Sequence, residues 1–171
     1  TVVENYVSPW LAKGYDGDTL GFIANYCFKK NKRTLADMNY LVDSLYDKGL
    51  VTLSSIADYV KRGAQTDEFI RKMLAECGLD RRPTESDRTT LAVWQNWGFP
   101  DETILEACAR SNGSSRPLSY VNAILSNWKS KNLFTPDDLR AAEATDGDKT
   151  QSTKKDGRND GKTAHFAGER N

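Results

Sequence analysis

Apolar residues recur every three or four positions along most of this chain, and no stretch alternates apolar with polar as a strand would. The clearest case runs from Tyr120 to Trp128, where Tyr120, Ile124 and Trp128 fall four apart and Val121 and Leu125 widen the stripe. This spacing predicts a long amphipathic helix over about 118–131. Asn132 offers a stop, and Pro136 with Asp137 and Asp138 behind it opens a short helix over about 136–143. A second set reads the same way, with a long helix over about 35–48 closed by Gly49 and a short one over about 53–61. Ahead of the long helices, the turns Gly14-Tyr15 and Gly98-Phe99 each end a helix and lead into others over 18–28 and 101–111. Between the two sets, Thr66-Asp67-Glu68 predicts a helix over 67–77 stopped by Gly78, and Thr84 with Asp87 forms a capping box for the next. From about 142 onward the pattern collapses into polar residues, Phe166 being large and apolar, and a tail disordered in isolation is expected. The fold class is all-α.

The two sets match residue by residue. Trp10, Gly14, Tyr15, Thr19 and Leu20 recur 84 positions later as Trp94, Gly98, Phe99, Thr103 and Ile104. After one deletion in a polar loop the offset becomes 83: Arg33, Leu35, Asn39, Leu41, Val42 and Leu45 answer to Arg116, Leu118, Asn122, Ile124, Leu125 and Trp128. Lys48, Leu50, Thr52 and Ile56 then answer to Lys131, Leu133, Thr135 and Leu139. A tandem duplication accounts for so many matches in register. The expected organisation is a first unit over 1–62, a connecting helix within 63–83, a second unit over 84–141 and a polar tail over 142–171.

Composition narrows the chemistry. Lys and Arg number 24, as do Asp and Glu, so the net charge is zero and a polyanion must be met by a local patch. Cys27, Cys77 and Cys108 are odd in number and form no Cys-x-x-Cys pair, which fits buried free thiols in a reducing cytosol. No apolar run reaches membrane-span length and no signal-peptide pattern opens the chain. The sequence opens at Thr1, as a piece of a longer protein would. The sole histidine, His165, lies in the polar tail, and no phosphate-cradling loop or nucleophile motif is present. Asp16-Gly17-Asp18 lacks the remaining ligands of a calcium loop. Neither catalysis nor a cofactor or metal is expected.

Tyr120-x-x-x-Ile124-x-x-x-Trp128, followed by Lys131-Asn132-Leu133 and Thr135-x-x-Asp138-Leu139, resembles the C-terminal signature of the DnaD-domain family, helical proteins of bacterial and phage replication initiation and primosome assembly. Pro83-Thr84-Glu85, Trp94-x-x-Trp97-Gly98-Phe99 and Ile104-Leu105-x-Ala107 resemble that domain's opening helices, so the likeness spans 84–140. Residues 10–60 resemble a diverged second copy, in which Asp37 stands for the motif Tyr and Leu45 for the Trp. The resemblance implies binding to DNA, chiefly single strands, self-association, and work beside a helicase or its loader in the cytoplasm. It places the motif function on Tyr120, Ile124 and Trp128. The stretch from Thr163 to Asn171 also resembles the segment that trails these domains. Two departures stand out: residues 141–171 carry six basic and six acidic side chains rather than a cationic arm, and the family's winged-helix module is missing.

Each candidate has a plainer reading. Ile124 and Trp128 lie on the stripe of Val121 and Leu125, so they are core residues or DNA contacts; Tyr120, at its edge, could stack a base. Lys129 and Lys131 could hold phosphates or simply complement the helix dipole. Lys29, Lys30, Lys32 and Arg33, with Phe28 and Tyr26 beside them, make the densest basic run, a phosphate site or a solubilising loop. Lys154, Lys155, Arg158 and Lys162 could make loose phosphate contacts, diluted by Asp156 and Asp160. A protein–protein adaptor that holds a helicase or its loader without touching DNA is the other class of function, and zero net charge favours it.

Overall fold

The computed structural model describes residues 1–153, and every regular element among them is helical. A π-helical turn, Val3–Val7, runs into α1 (Ser8–Ala12); then come α2 (Gly17–Lys29), α3 (Leu35–Asp47), α4 (Leu53–Glu76), α5 (Glu85–Asn96), α6 (Asp101–Ser111), α7 (Pro117–Ser130) and α8 (Pro136–Thr153). The chain divides into two units, Thr1–Phe69 and the residues from Ile70 onward.

Local chemistry sets the helix ends. Thr34 and Thr84 each accept the amide three residues on, from Asp37 and Asp87, whose carboxylates take the cap amide in return. At the C-terminal ends, Gly14, Gly49 and Gly98 adopt φ of +97°, +73° and +101°, and Asn132 adopts +57°. This left-handed residue lets the next amide reach back to the helix: Tyr15 to Trp10, Leu50 to Leu45, Phe99 to Trp94 and Leu133 to Trp128. The apolar residue that donates each bond packs over the last turn, so one turn type both stops the helix and starts the core.

In the first unit Trp10, Tyr15, Ile23, Cys27, Val42, Leu45 and Ile56 form the buried cluster. Trp10 Nε1 donates to Asn39 Oδ1 at 2.8 Å, and Tyr15 Oη donates to the Leu50 carbonyl at 2.8 Å. Asn39 also donates to Asp43, which pairs with Lys13. The second unit buries Leu91, Trp94, Phe99, Ile104, Val121, Leu125, Trp128 and Leu139 among others. Trp94 Nε1 donates to Asn122 Oδ1 at 3.0 Å, and Thr103 Oγ1 donates to the Phe134 carbonyl at 2.7 Å. Arg81 grips the buried Asp87 with two nitrogens, at 2.7 and 2.9 Å. All three cysteines are free and buried, and Ser111 donates to Cys77 Sγ.

Two elements differ from the expectation. The helices expected over 53–61 and 67–77 are one helix of 24 residues, so the chain passes between the units inside α4 rather than through a separate connecting helix. Gly63 costs such a helix only about 1 kcal/mol, and residues buried on both sides of it (Ile56, then Ile70, Met73 and Leu74) outweigh that. The last helix runs to Thr153 instead of ending near 143. The remainder of the polar tail, 154–171, lies outside the described residues.

Candidate nucleic-acid interface

The Tyr-Ile-Trp ladder of α7 splits by burial. Val121 and Leu125 are fully buried, Trp128 is 8% exposed, Ile124 is half-buried and Tyr120 is 49% exposed. The stripe drifts around the helix, so its first member reaches solvent while its last packs inward. Arg110 lies over the outer face of the Trp128 ring, 5.2 Å from its centroid. That guanidinium is itself held by Glu106 at 3.0 Å and Glu143 at 2.5 Å, which together with the ring closes off Trp128. Of the ladder, Tyr120 alone offers a ring face. At the far end of α7, Lys129 sits 4.9 Å from the Trp97 ring centroid, and Lys131 is exposed as the cap residue. A helix of 14 residues separates Tyr120's end from these lysines by most of its length, about 1.5 Å per residue.

The basic loop between α2 and α3 is built differently. Asn31, at φ +59°, lets Lys32 donate its amide to the Cys27 carbonyl at 2.9 Å, so α2 closes with the same turn as the helices above. Two residues later the Thr34–Asp37 capping box opens α3. Both ends of the loop are therefore fixed by hydrogen bonds, backbone to backbone at α2 and backbone to side chain at α3. Lys29, Lys30, Lys32 and Arg33 are all exposed, and none of them is in a salt bridge. Their partners are rings instead: Lys30 lies 5.7 Å from Tyr26, Lys32 5.9 Å from Tyr40 and Arg33 4.9 Å from Phe28. Phe28 is 62% exposed and Tyr40 73%, the two most exposed rings of the described residues. Tyr40 went unnoticed in the sequence, though a signal existed: it stands on the polar face of α3, three residues after Asp37 and four before Ser44. Arg110 was missed too, because its place over Trp128 depends on how α6 packs on α7.

The first unit also contains an apolar pocket of about 110 Å³, lined by Phe22, Tyr26, Leu41, Leu45, Tyr59 and Val60 among others. Leu45, one of its lining residues, is the position that Trp128 answers to in the sequence matching. Lys154, Lys155, Arg158 and Lys162 lie outside the described residues, as does the Thr163–Asn171 stretch. Among the described residues no group of three or more His, Cys, Asp and Glu stands within reach of a common metal ion, and no helix is long and apolar enough to cross a membrane.

The second unit is where known proteins enter. Residues 70–143 match a family described as replication initiation and membrane attachment. That stretch is similar to DnaD-like replication-initiation domains, and its first matched residue is the one at which the second unit begins. The match includes all of α5, α6 and α7, with the buried Trp94 and the Tyr-Ile-Trp ladder. Neither the curated proteins nor the solved structures contain a match to the chain.

Proposed function

We propose that this chain is a non-catalytic DNA-binding protein of replication initiation, built from two tandem DnaD-like units and acting chiefly on single strands. The observation that carries the reading is the replication-initiation match over 70–143. Support for a second copy comes from paired geometry: each unit has a buried indole donating to an Asn one helix pair away, Trp10 to Asn39 and Trp94 to Asn122. In this reading Tyr120 stacks on a base, Lys129 and Lys131 hold phosphates, and Ile124 and Trp128 keep α7 seated. The loop cations Lys29, Lys30, Lys32 and Arg33 add a second phosphate-holding surface. Cytoplasmic replication proteins such as a helicase or its loader, and further copies of the chain, are the partners of this role.

A titration of labelled single-stranded oligonucleotide by fluorescence anisotropy, repeated across a salt series, tests the reading. Affinity should fall linearly in log–log form as salt rises, with a slope of about −0.7 per phosphate neutralised. A folded, helical protein that shows no binding at low salt would sink it. The adaptor reading would then stand, and the net charge of zero together with the apolar pocket of the first unit favours it.

A further inference from the structure

The two surfaces just described are unequal as sites for a strand, and the difference can be traced to where the charges are spent. In the second unit Arg81 is committed to Asp87, and Arg110 to Glu106, Glu143 and the Trp128 ring, which leaves the α7 surface two cations outside salt bridges, Lys129 over the Trp97 ring and Lys131. In the first unit four cations stand within five residues and none is ion-paired. Asp37, the nearest carboxylate in the loop's own sequence, is occupied by Thr34, taking its amide at 3.3 Å and its hydroxyl at 2.8 Å. Helix electrostatics explains only part of this run. Lys29 and Lys30 complement the C-terminal end of α2, but Lys32 and Arg33 stand just ahead of α3, at the helix end where a cation is disfavoured.

The rings complete the argument. An exposed Phe at 62% and an exposed Tyr at 73% gain little for the fold, since most of their surface remains in water. Each has a cation beside it, Arg33 at Phe28 and Lys32 at Tyr40, so each ring comes paired with a group that can hold a phosphate. The loop is fixed at both ends, so little conformational freedom remains to be lost when a ligand arrives. Exposed rings beside unpaired cations suit a single strand, which offers a base face and a phosphate at each nucleotide. Duplex DNA keeps its base faces stacked inside and cannot use the rings.

We infer that Phe28 and Tyr40 stack nucleobases and that Lys29, Lys30, Lys32 and Arg33 hold the phosphates between them, making the α2–α3 loop, rather than the Tyr-Ile-Trp ladder of α7, the principal single-strand site. This rests on the DNA-binding reading above and names the residues that perform it. Oligothymidylate labelled with fluorescein is the probe, titrated into the full chain. Phe28→Ala with Tyr40→Ala should weaken binding about tenfold or more while leaving the salt dependence unchanged. Lys32→Ala with Arg33→Ala should weaken it and flatten the salt slope by about 1.4, two phosphates' worth. Tyr120→Ala should weaken binding by clearly less than the Phe28, Tyr40 pair does, as the loss of one stacked base outside the principal site. All five positions are exposed, so an unchanged helical spectrum is the control for folding. If the wild-type chain binds but Tyr120→Ala carries the loss and the Phe28, Tyr40 pair does not, the inference is overturned and the DNA-binding reading survives. Equal affinity for a duplex of the same length would also overturn it. No binding by the wild type removes both.

Discussion

The two units place an indole, an Asn and a Gly-closed helix end in the same relation, and differ at several core positions, Leu45 against Trp128 among them, and in the use of charge. Where the second unit has Trp128, nearly buried beneath Arg110, the first has Leu45 beside an open apolar pocket. The second unit ties Arg81 and Arg110 into carboxylates, while the first leaves the cations of its α2–α3 loop facing rings and water. A cation tied to a carboxylate must break that pair before it can take a phosphate; an unpaired one has only water to shed. The unit that holds the replication-initiation match thus ties two arginines into its own fold, and the other unit has the denser run of cations outside any salt bridge.

The shared indole offers the hardest blow to both. Trp94 is fully buried and Trp10 is 3% exposed, so removing either ring leaves a large hole. Trp94→Ala should destabilise the second unit by about 4 kcal/mol, and Trp10→Ala the first by a similar amount. Hydrogen exchange at the amides of α7 and of α3 reports each loss where it occurs. Trp94→Phe should cost much less, because Asn122 is exposed and water can replace the lost indole donor. Loss of protection confined to α7 in one variant and α3 in the other keeps the comparison; an effect below about 1 kcal/mol in either breaks it.

Much of this was legible in the sequence, for reasons that are local. Caps announce themselves in a few adjacent residues, and Thr84–Asp87, Gly14, Gly49, Gly98 and Asn132 all stand where the pattern put them. The all-α class follows from periodicity alone. What the sequence hid depends on competition between local signals or on packing. Thr66-Asp67-Glu68 reads as a helix start, yet α4 runs through it, because a capping signal yields when the helix on either side is already anchored by buried residues. Equal spacing made Tyr120, Ile124 and Trp128 look alike; the drift of the stripe around α7 and the packing of that helix separate the exposed ring from the buried one. Tyr40 joined the basic loop through space rather than along the chain.

Acid separates the units more gently. Arg81 and the Thr84 amide hold the Asp87 carboxyl down to about 2, against an ordinary 3.8, despite burial that pushes the other way. A carboxyl whose folded value lies below its unfolded one stabilises the fold at higher pH, and that contribution fades as pH falls from about 4 toward 2. The size of the shift corresponds to roughly 2 kcal/mol. Counting back 84 positions from Asp87 reaches Val3, so the first unit has no carboxylate at the matching place. Asp87→Asn should therefore lower the stability of α5 by roughly 2 kcal/mol at neutral pH and flatten its pH dependence below 4. Chemical denaturation with a helix-resolved probe at pH 7 and pH 3 checks this, and an Asn variant that loses as much stability on acidification as the wild type would count against the pair.

The smallest effect tests the core position itself. Exchanging the two residues, Trp128→Leu in one variant and Leu45→Trp in another, moves the indole from one unit to the other. Trp128→Leu leaves Arg110 without the ring it covers and opens a hollow in the second unit, a loss of about 1.5 kcal/mol when the neighbours partly collapse. Leu45→Trp places the larger side chain at the edge of a pocket of about 110 Å³ whose lining is mostly apolar. Filling it should change stability by less than about 1.5 kcal/mol, with a gain if the ring enters without moving α3. The indole nitrogen is the obstacle, since a buried donor needs a partner, and Tyr26 and Tyr59 are the lining residues with a polar side-chain atom. A melting temperature raised by Leu45→Trp, together with a blue-shifted indole emission, would show that the two units differ at this place by one side chain. A drop of several kcal/mol would mean that the first unit's helices have closed to a spacing the indole no longer fits, and that its divergence reaches the backbone.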